Sequence, residues 1–361
     1  MKKFISIVMA LAMVLSLMAG CASDQSGTND SSQQNNQFQE NDQSQENNQS
    51  QQNDQSQQSE VPQDTSFTIK YPESMSAQGY EDLVLEAVPQ RIVCTVTAPV
   101  LTMYAMGASL VGIPNSAATQ TIAADDPNIT VLPSFMSDEF DIETVVGLAP
   151  DLVIINLMYA DSHGATLEGL GIPVYYIGAG HGVGYEPVKE ESLIFIDAFS
   201  RDDESTAKGE ELKQSFTDIE QRCSEISSEN ADTKILVLQA GGVGAVYGQT
   251  SEGTLGSMMD MLGFENISDD TASASMFEID YETALVEQPD LLVVVGSGSA
   301  ADTEAMMDEI IAANPEYWNA MTAVQNGQII CLGIDYIAVY GIGYVDALGS
   351  LADEVAAFYA E

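Results

Sequence analysis

The side chains best suited to hold a ligand lie in segments that follow predicted strands. Hydroxyls, phenols and imidazoles recur there, and both histidines of the chain, His163 and His181, are among them. We assign ligand binding to Thr97, Tyr104, Tyr159, His181, Tyr185, Tyr247, Ser297, Tyr336 and Tyr340. Because ligands of open α/β sheets bind beyond the carboxyl ends of the strands, we expect these residues to line one cleft. Tyrosine rings and hydroxyls suit a large, flat or bulky ligand.

Catalytic chemistry has no recognisable motif in this sequence. It contains no Gly-x-Ser-x-Gly, no His-Glu-x-x-His and no phosphate-binding loop, and the glycine-rich stretch 241–244 lacks the Lys-Ser/Thr ending. We therefore expect a protein that is not an enzyme. His163 and His181 are candidate metal ligands, or else ordinary polar loop residues. A free zinc or manganese site would need three or four converging His, Asp or Glu ligands.

A twofold internal repeat carries two matched carboxylates. Glu143 and Glu282 each stand seven residues before a Pro-Asp-Leu sequence, and an apolar β-branched run follows in both copies. Each copy predicts a short helix opened by an acidic N-cap, followed by a buried strand. A lone carboxylate at a helix start stabilises the helix dipole. A matched pair on pseudo-symmetric helices could instead engage a twofold partner through arginines.

The elements that would position these residues alternate between short strands and helices, which indicates parallel α/β sheets. Between the two halves, apolar residues from Ala207 to Cys223 recur at helical spacing and predict one long connecting helix. We divide the chain into a signal segment 1–20, a tether 21–64, an N-terminal α/β lobe 65–202, a connecting helix 203–230 and a C-terminal α/β lobe 231–361.

The formal charge of -45, with ten basic residues, excludes several partners. Nucleic acid and anionic lipid surfaces both need clustered Lys and Arg, which this chain lacks. Its acidity suits solubility at a cell surface, or the attraction of cationic ligands or metals. Cys94 and Cys331 lie in apolar strand-like runs typical of buried free cysteines. A disulfide among these two and Cys223 is the alternative in an exported protein.

The first residues predict export. Met1-Lys2-Lys3 and an uncharged apolar stretch lead to small residues before Cys21, which resembles a bacterial lipoprotein signal with Cys21 as the lipidated residue. An uncleaved membrane anchor is the alternative, and either places the rest outside the cytoplasm. Residues 22–60 are almost entirely Gln, Asn, Ser, Asp and Glu, a composition typical of disorder. As a flexible coil this tether would reach roughly 35 Å.

The whole pattern resembles the substrate-binding lipoproteins of ABC importers for iron-siderophores, haem and cobalamin. The matching segments of the first half are Pro89-Gln90-Arg91-Ile92-Val93, Leu110-Val111-Gly112-Ile113, Pro150-Asp151-Leu152-Val153 and Gly171-Ile172-Pro173-Val174. Those of the second half are Thr254-Leu255-Gly256-Ser257, Leu262-Gly263, Pro289-Asp290-Leu291, and Trp318 with 323–329. Their order on both sides of a long helix is specific to that family and covers almost everything after the tether.

This resemblance implies two Rossmann-like lobes joined by one rigid helix, with the ligand held between them and little hinge motion. It also implies that Glu143 and Glu282 dock into arginines of a permease dimer, which works with ATPase subunits. We expect a monomer that holds no permanent cofactor and carries an iron or cobalt chelate.

The charge of the expected cleft favours a neutral or cationic chelate. The expected cleft lacks the arginine cluster that an anionic ferric catecholate would need. Ferric hydroxamates, cobalamin and haem remain, and Tyr or His could ligate haem iron directly. The rival functions are a free-metal binder for zinc or manganese, and a surface sensor or adhesin without a permease.

Overall fold

The computed structural model describes residues 65–133, 141–178, 183–279 and 281–360 as alternating strands and helices. The strands are β1 (Phe67–Ile69), β2 (Leu83–Leu85), β3 (Ile92–Cys94), β4 (Leu110–Pro114), β5 (Thr130–Leu132), β6 (Leu152–Asn156), β7 (Val174–Ile177), β8 (Lys234–Ala240), β9 (Val246–Gln249), β10 (Glu265–Asn266), β11 (Met276–Glu278), β12 (Leu291–Val295) and β13 (Ile329–Leu332). The helices are α1 (Glu73–Ser76), α2 (Thr97–Ala105), α3 (Ala117–Asp125), α4 (Ile142–Gly147), α5 (Ala165–Gly169), α6 (Tyr185–Phe199), α7 (Asp203–Asn230), α8 (Thr254–Met261), α9 (Tyr281–Glu287), α10 (Ala300–Ala313), α11 (Pro315–Trp318), α12 (Thr322–Gln325) and α13 (Gly343–Ala360).

The N-terminal lobe is a five-stranded parallel sheet. Its strand order is β5-β4-β3-β6-β7, so the chain winds outward from β3 in one direction and then reverses at β6. All residues of β3 are buried, as are the first four of β6, because helices cover both faces of the sheet. The reversal point lies between the carboxyl ends of β3 and β6, which is where open α/β sheets bind ligands. Ahead of this sheet, β1 and β2 form a separate antiparallel pair.

The C-terminal lobe is built around β8. The strand order is β11-β9-β8-β12-β13, with β10 pairing the start of β8. Strands β10, β12 and β13 run parallel to β8, whereas β9 and β11 are antiparallel additions. The reversal point of this sheet lies between β8 and β12.

The repeat-related aspartates hold the start of the first strand of each main sheet, β3 and β8. In the N-terminal lobe the Asp151 carboxylate accepts hydrogen bonds from the backbone N–H of Gln90 (2.7 Å) and Arg91 (2.8 Å). In the C-terminal lobe Asp290 accepts from the N–H of Lys234 (3.0 Å). The Pro-Asp-Leu sequence therefore both begins one strand and pins the neighbouring strand beside it.

The turn before each Pro-Asp-Leu sequence has the same unusual backbone. Ala149 (φ 47) and Gln288 (φ 48), which stand just before the two prolines, are the non-glycine residues with positive φ in the part of the chain that the structure describes. The left-handed region costs an ordinary residue about 1–2 kcal/mol. Its recurrence at equivalent positions shows that the repeat preserves a backbone shape as well as a sequence.

One hydrophobic core is shared by both lobes and by α7. It contains Ile92 and Ile154 from the first sheet, Phe216 from α7, and Val237 and Val293 from the second sheet. A two-lobed α/β fold with one long helix between the two sheets, as predicted, is confirmed. Smaller clusters cover the outer faces of the two sheets.

The two lobes also meet where α6 begins. The backbone N–H of Tyr185 donates to the Ser257 hydroxyl of α8 (2.8 Å), and the Tyr344 hydroxyl of α13 donates to the carbonyl of Thr254 (2.9 Å). A Cβ atom at Gly184 would lie 3.1 Å from the Ser257 side chain, so this close approach needs a glycine. These contacts hold the start of α6 against the opposite lobe.

The predicted signal segment, Cys21 and the tether lie outside the described residues. Within the described ranges, no helix combines the length and the apolar character needed to span a bilayer. Cys94, Cys223 and Cys331 are all free thiols, which agrees with the interpretation of Cys94 and Cys331 as unpaired.

Candidate functional site

On the N-terminal lobe, the cleft residues follow β3 and β6. The Asn156 side chain at the end of β6 accepts a hydrogen bond from the N–H of Met158 (3.0 Å) and closes a single 3₁₀ turn. This turn leaves the Met158 side chain 70% exposed and holds the ring of Tyr159 5.8 Å from that of His163. The carboxyl end of β6 therefore offers a thioether, a phenol and an imidazole close together.

On the C-terminal lobe, the predicted residues gather at the carboxyl ends of β8, β12 and β13. Tyr247 is the second residue of β9, pairs with Gln239 near the end of β8 and is 41% exposed. Ser297 follows β12 and is exposed, while Tyr336 and Tyr340 follow β13 and are half-buried. Burial raises the pKa of both Tyr336 and Tyr340, so these phenols stay protonated and able to donate hydrogen bonds at neutral pH.

A hydrogen bond ties two of these loops together. The N–H of Ile334 donates to the carbonyl of Gly298 (2.9 Å), which joins the turn after β13 to the turn after β12. A Cβ atom at Gly333 would lie 3.1 Å from the same carbonyl. Ser297 and Tyr336 are thus carried on loops that constrain each other.

Three of the predicted ligand residues do not present their side chains to the cleft. Thr97 begins α2, is 4% exposed and donates to the Ser116 hydroxyl (3.3 Å). Tyr185 begins α6, is 2% exposed and donates its hydroxyl to Glu220 (2.9 Å), so it is a packing residue between the lobes. Tyr104 is 38% exposed but lies about 10 Å along α2 from its first residue, away from the carboxyl edge. His181 lies outside the described residues.

Seven of the eight Lys and Arg side chains in the described ranges are engaged away from the cleft, and Lys70 is exposed after β1. Arg91 donates to the carbonyls of Leu148 and Ala149, at the opposite end of the sheet. The ion pairs of the remaining side chains lie on helices or at strand starts: Lys189–Glu220, Lys208–Glu211, Lys213–Asp197, Arg222–Asp353 and Lys234–Glu287. Arg201 donates to the carbonyl of Ser66. No Lys, Arg or His follows Lys234, so the C-terminal wall of the cleft has no cationic side chain at all.

Groups of three or more His, Cys, Asp or Glu placed to hold a metal ion do not occur in the described ranges.

The repeat carboxylates both lie on the surface. Glu143 and Glu282 are exposed and stand in the first turns of α4 and α9. Asp141 caps α4 by accepting from the N–H of Glu143 (2.9 Å), so Glu143 is free to point outward while its backbone is held. The two lobes thus offer one exposed carboxylate each at equivalent positions.

Sequence reasoning missed Glu191, an acidic residue within the apolar stripe of α6. It lines a small cavity of about 50 Å³ with Met75, Tyr175 and Gly178, just past the end of β7. The Glu191 side chain is half-buried, and desolvation of its carboxyl raises the pKa to about 8, so this group is largely a neutral acid at pH 7. The spacing of the helix could have revealed this residue. Glu191 lies three residues after the buried Val188 and four residues before the buried Phe195, so it falls on the same face of α6.

Comparison with known proteins agrees with this geometry. Residues 92–336 match the family model described as periplasmic binding protein. An iron-uptake ABC-transporter substrate-binding protein from Streptococcus pneumoniae is 20% identical with a TM-score of 0.58, over 80% of this chain and 97% of that chain.

Two further solved structures are similar in the same way. An ABC-type Fe3+-hydroxamate transport protein from Saccharomonospora viridis is 23% identical, with a TM-score of 0.54 over 76% and 96% of the two chains. A periplasmic haem-binding protein from Vibrio cholerae is 19% identical, with a TM-score of 0.55 over 74% and 98%. At these identities the likeness shows the fold. Comparison with the curated proteins gives no match.

Proposed function

Because the chain belongs to the periplasmic binding protein family, we propose that it is the solute-binding component of an ABC importer and carries an iron or cobalt chelate to a membrane permease. The observation that supports this most directly is the pairing of two parallel-sheet reversal points across one shared core, with phenols at the carboxyl edges. The similar proteins whose names mention iron uptake, hydroxamate or haem support the choice of cargo class. The protein performs no chemistry of its own.

The cargo is a neutral or cationic chelate. An anionic ferric catecholate leaves three negative charges to neutralise, and the C-terminal wall of the cleft has no Lys, Arg or His. A ferric hydroxamate, haem or cobalamin needs fewer charges balanced, and phenols could contact any of them through ring faces and hydroxyls. Tyr159 and His163 are candidates for direct contact with the metal centre of haem.

Delivery to the permease uses Glu143 and Glu282. Both carboxylates are exposed on equivalent helices, and each could form a charge-assisted pair with an arginine of one permease subunit. The protein acts outside the cytoplasm, held at the membrane by lipid on Cys21. Residues 22–64 then serve as the tether between this anchor and the folded part.

Calorimetric titration with a ferric trihydroxamate, a ferric tricatecholate, haem and cyanocobalamin tests the cargo. We expect saturable binding of at least one of the hydroxamate, haem or cobalamin, and much weaker binding of the catecholate. Tyr247→Ala should weaken binding by about tenfold, because one aromatic contact of this size is worth on the order of 1 kcal/mol or more.

The matched control for that variant is Tyr104→Ala. Tyr104 is 38% exposed, close to the 41% of Tyr247, but lies away from the carboxyl edge. The two variants should therefore differ in affinity and agree in stability. Tight binding of the catecholate with no response to the other three chelates would contradict the charge argument.

Cargo uptake by cells tests the docking pair. We expect Glu143→Ala and Glu282→Ala each to reduce uptake severalfold, and the double variant to nearly abolish it, with chelate affinity unchanged. Glu204→Ala is the control, because Glu204 is an exposed carboxylate in the first turn of α7. Normal uptake by the double variant would remove both glutamates from the mechanism.

A further inference from the structure

A groove runs along the outer edge of the C-terminal sheet. Among the described strands, β13 is the last in the sheet and pairs with β12 alone. Helix α10 forms one wall of the groove and α13 the other, and together they enclose a volume of about 540 Å³. We call this the β13 groove; its lining includes Glu304, Asp308, Cys331, Glu354 and Phe358.

The floor of the β13 groove is an open strand edge. The N–H of Leu292 donates to the carbonyl of Gln328, and that of Gly296 to the carbonyl of Leu332. Because main-chain groups alternate sides along a parallel strand, Ile329 and Cys331 turn their N–H and C=O groups away from β12. The N–H of Ile329 donates to the carbonyl of Gly327 (3.0 Å), so the Ile329 carbonyl and the main-chain groups of Cys331 form the open part of this edge. Cys331 stands at the centre of this outward-facing edge. Such an edge is a template for pairing with another strand.

The lining of the groove combines apolar side chains with three carboxylates at its rim. Met307, Ile311 and Phe358 supply the apolar surface, and the carboxylates are those of Glu304, Asp308 and Glu354. Glu304 and Asp308 line the groove together with Cys331. Burial, and then these two carboxylates, raise the pKa of the Cys331 thiol to about 11.

The charge of the groove is not balanced locally. The sequence contains no Lys, Arg or His after Lys234. No positively charged side chain of the C-terminal lobe beyond the start of β8 can therefore neutralise the carboxylates at the rim of the groove. A positively charged occupant is therefore favoured over an acidic or neutral one.

We propose that the β13 groove binds an extended peptide segment of a partner protein as an added strand, with basic side chains directed to the α10 wall and apolar side chains to the α13 wall. Successive side chains of a strand point to opposite faces, so a segment that alternates basic and apolar residues fits both walls at once. The four residues of β13 span about 13 Å and would pair with about four residues of the peptide.

Two other occupants fit the charge poorly. A second copy of this chain paired through the same edge would bring six carboxylates of Glu304, Asp308 and Glu354 into one interface. The N-terminal part of this chain between residues 4 and 69 contains no Lys or Arg and carries many acids. Both would place like charges together at the rim, which costs binding free energy.

Fluorescence anisotropy with the full chain and a labelled hexapeptide of alternating lysine and valine tests the proposal. We expect saturable binding that weakens with added salt, and no binding of the matched peptide with glutamate in place of lysine. Glu304→Gln combined with Asp308→Asn should weaken binding by about tenfold, since each exposed charge pair contributes modestly. Glu309→Gln, on α10 but outside the groove lining, should leave affinity unchanged.

Two N-methylated versions of the hexapeptide test strand addition itself. One peptide is methylated on the backbone amide nitrogen of every lysine, and the other on the backbone amide nitrogen of every valine. Each modification therefore blocks the hydrogen-bonding groups along one edge of the peptide. In an added strand only one edge faces β13, and we expect one of these peptides to bind and the other to fail. The amide of Cys331 should also exchange with deuterium more slowly when the parent peptide is bound.

Three results would overturn the proposal. They are equal binding of both N-methylated peptides, binding of the glutamate peptide as tight as that of the lysine peptide, or no detectable binding of the parent peptide. Circular dichroism of the double variant separates loss of the rim charges from loss of the fold. The peptide assay contains no chelate and no permease, so its outcome is independent of the proposed transport function.

Discussion

At the scale of single residues, burial decides the state of several ionisable groups. Glu191 lies in the apolar stripe of α6 with a carboxyl whose pKa is raised to about 8. Cys94 is fully buried, and burial raises the pKa of its thiol well above the usual range, so it behaves as a small hydrophobe. Both groups are neutral in the folded protein at pH 7, and the Glu191 carboxyl would ionise on unfolding.

Glu191→Gln should change how stability depends on pH. The folded-state pKa of about 8 exceeds the ordinary 4.5, so the folded protein holds one more proton between these values. The favourable contribution of this group is present below pH 4.5 and is lost as the pH rises through 8. Relative to the glutamine variant, the wild-type free energy of unfolding should fall by a few kcal/mol between pH 5 and pH 9.

Urea denaturation at both pH values measures this difference. Glu190→Gln serves as the control, because Glu190 is the exposed neighbour on the same helix. Parallel pH dependences for the wild type and Glu191→Gln would show that the carboxyl is solvated.

At the scale of elements, the two copies of the repeat perform the same structural task with different strength. Asp151 accepts two backbone hydrogen bonds at the start of β3, whereas Asp290 accepts one at the start of β8. The basic side chains at these strand starts also differ. Arg91 bonds to the carbonyls of the turn before Asp151, while Lys234 pairs with the Glu287 carboxylate (3.1 Å) in the equivalent turn.

Asp151→Ala should therefore destabilise the protein more than Asp290→Ala. Each lost charge-assisted bond to a backbone N–H is worth about 1–2 kcal/mol, so we expect a loss of about 2–3 kcal/mol for the first variant and about 1 kcal/mol for the second. Chemical denaturation of both variants at pH 7 measures this order. Equal losses, or the reverse order, would mean that the start of each strand is stabilised by the preceding turn and not by the aspartate carboxylate.

At the scale of the whole molecule, the two lobes share one core. Residues of both sheets pack on α7, and α6 is bonded to α8 across the junction through Tyr185, Ser257 and Tyr344. A chain of this size with separate cores would unfold in steps. A shared core instead favours a common transition.

We expect Trp318 fluorescence, which reports the outer layer of the C-terminal lobe, and amide exchange of β3 in the N-terminal lobe to give the same urea midpoint. Tyr344→Phe removes the hydroxyl that bonds to Thr254 and should lower the free energy of unfolding by about 1 kcal/mol. The urea midpoints of both probes should then fall together. A shift in one probe alone would show that the lobes unfold independently.

The sequence by itself determined the elements and their order. Periodicity and the Pro-Asp-Leu repeat predicted the buried strands β3, β4, β6, β8 and β12 and a long connecting helix, because hydrophobic spacing and helix or strand starts are local properties. The short strands β5, β9, β10 and β11 were not predicted. The charge of the chain likewise argues against nucleic acid as a partner, and this stays a prediction.

Only the tertiary structure decided which of those residues reach the cleft. Thr97 and Tyr185 have the polar atoms that a ligand would use, but the packing of α2 and α6 buries them, and Tyr104 is carried away along its helix. The desolvation of the half-buried Glu191 and the open edge of β13 depend on elements distant in the sequence. Residue type fixes what a side chain can bind, whereas the contacts made by folding fix which side chains remain accessible to do so.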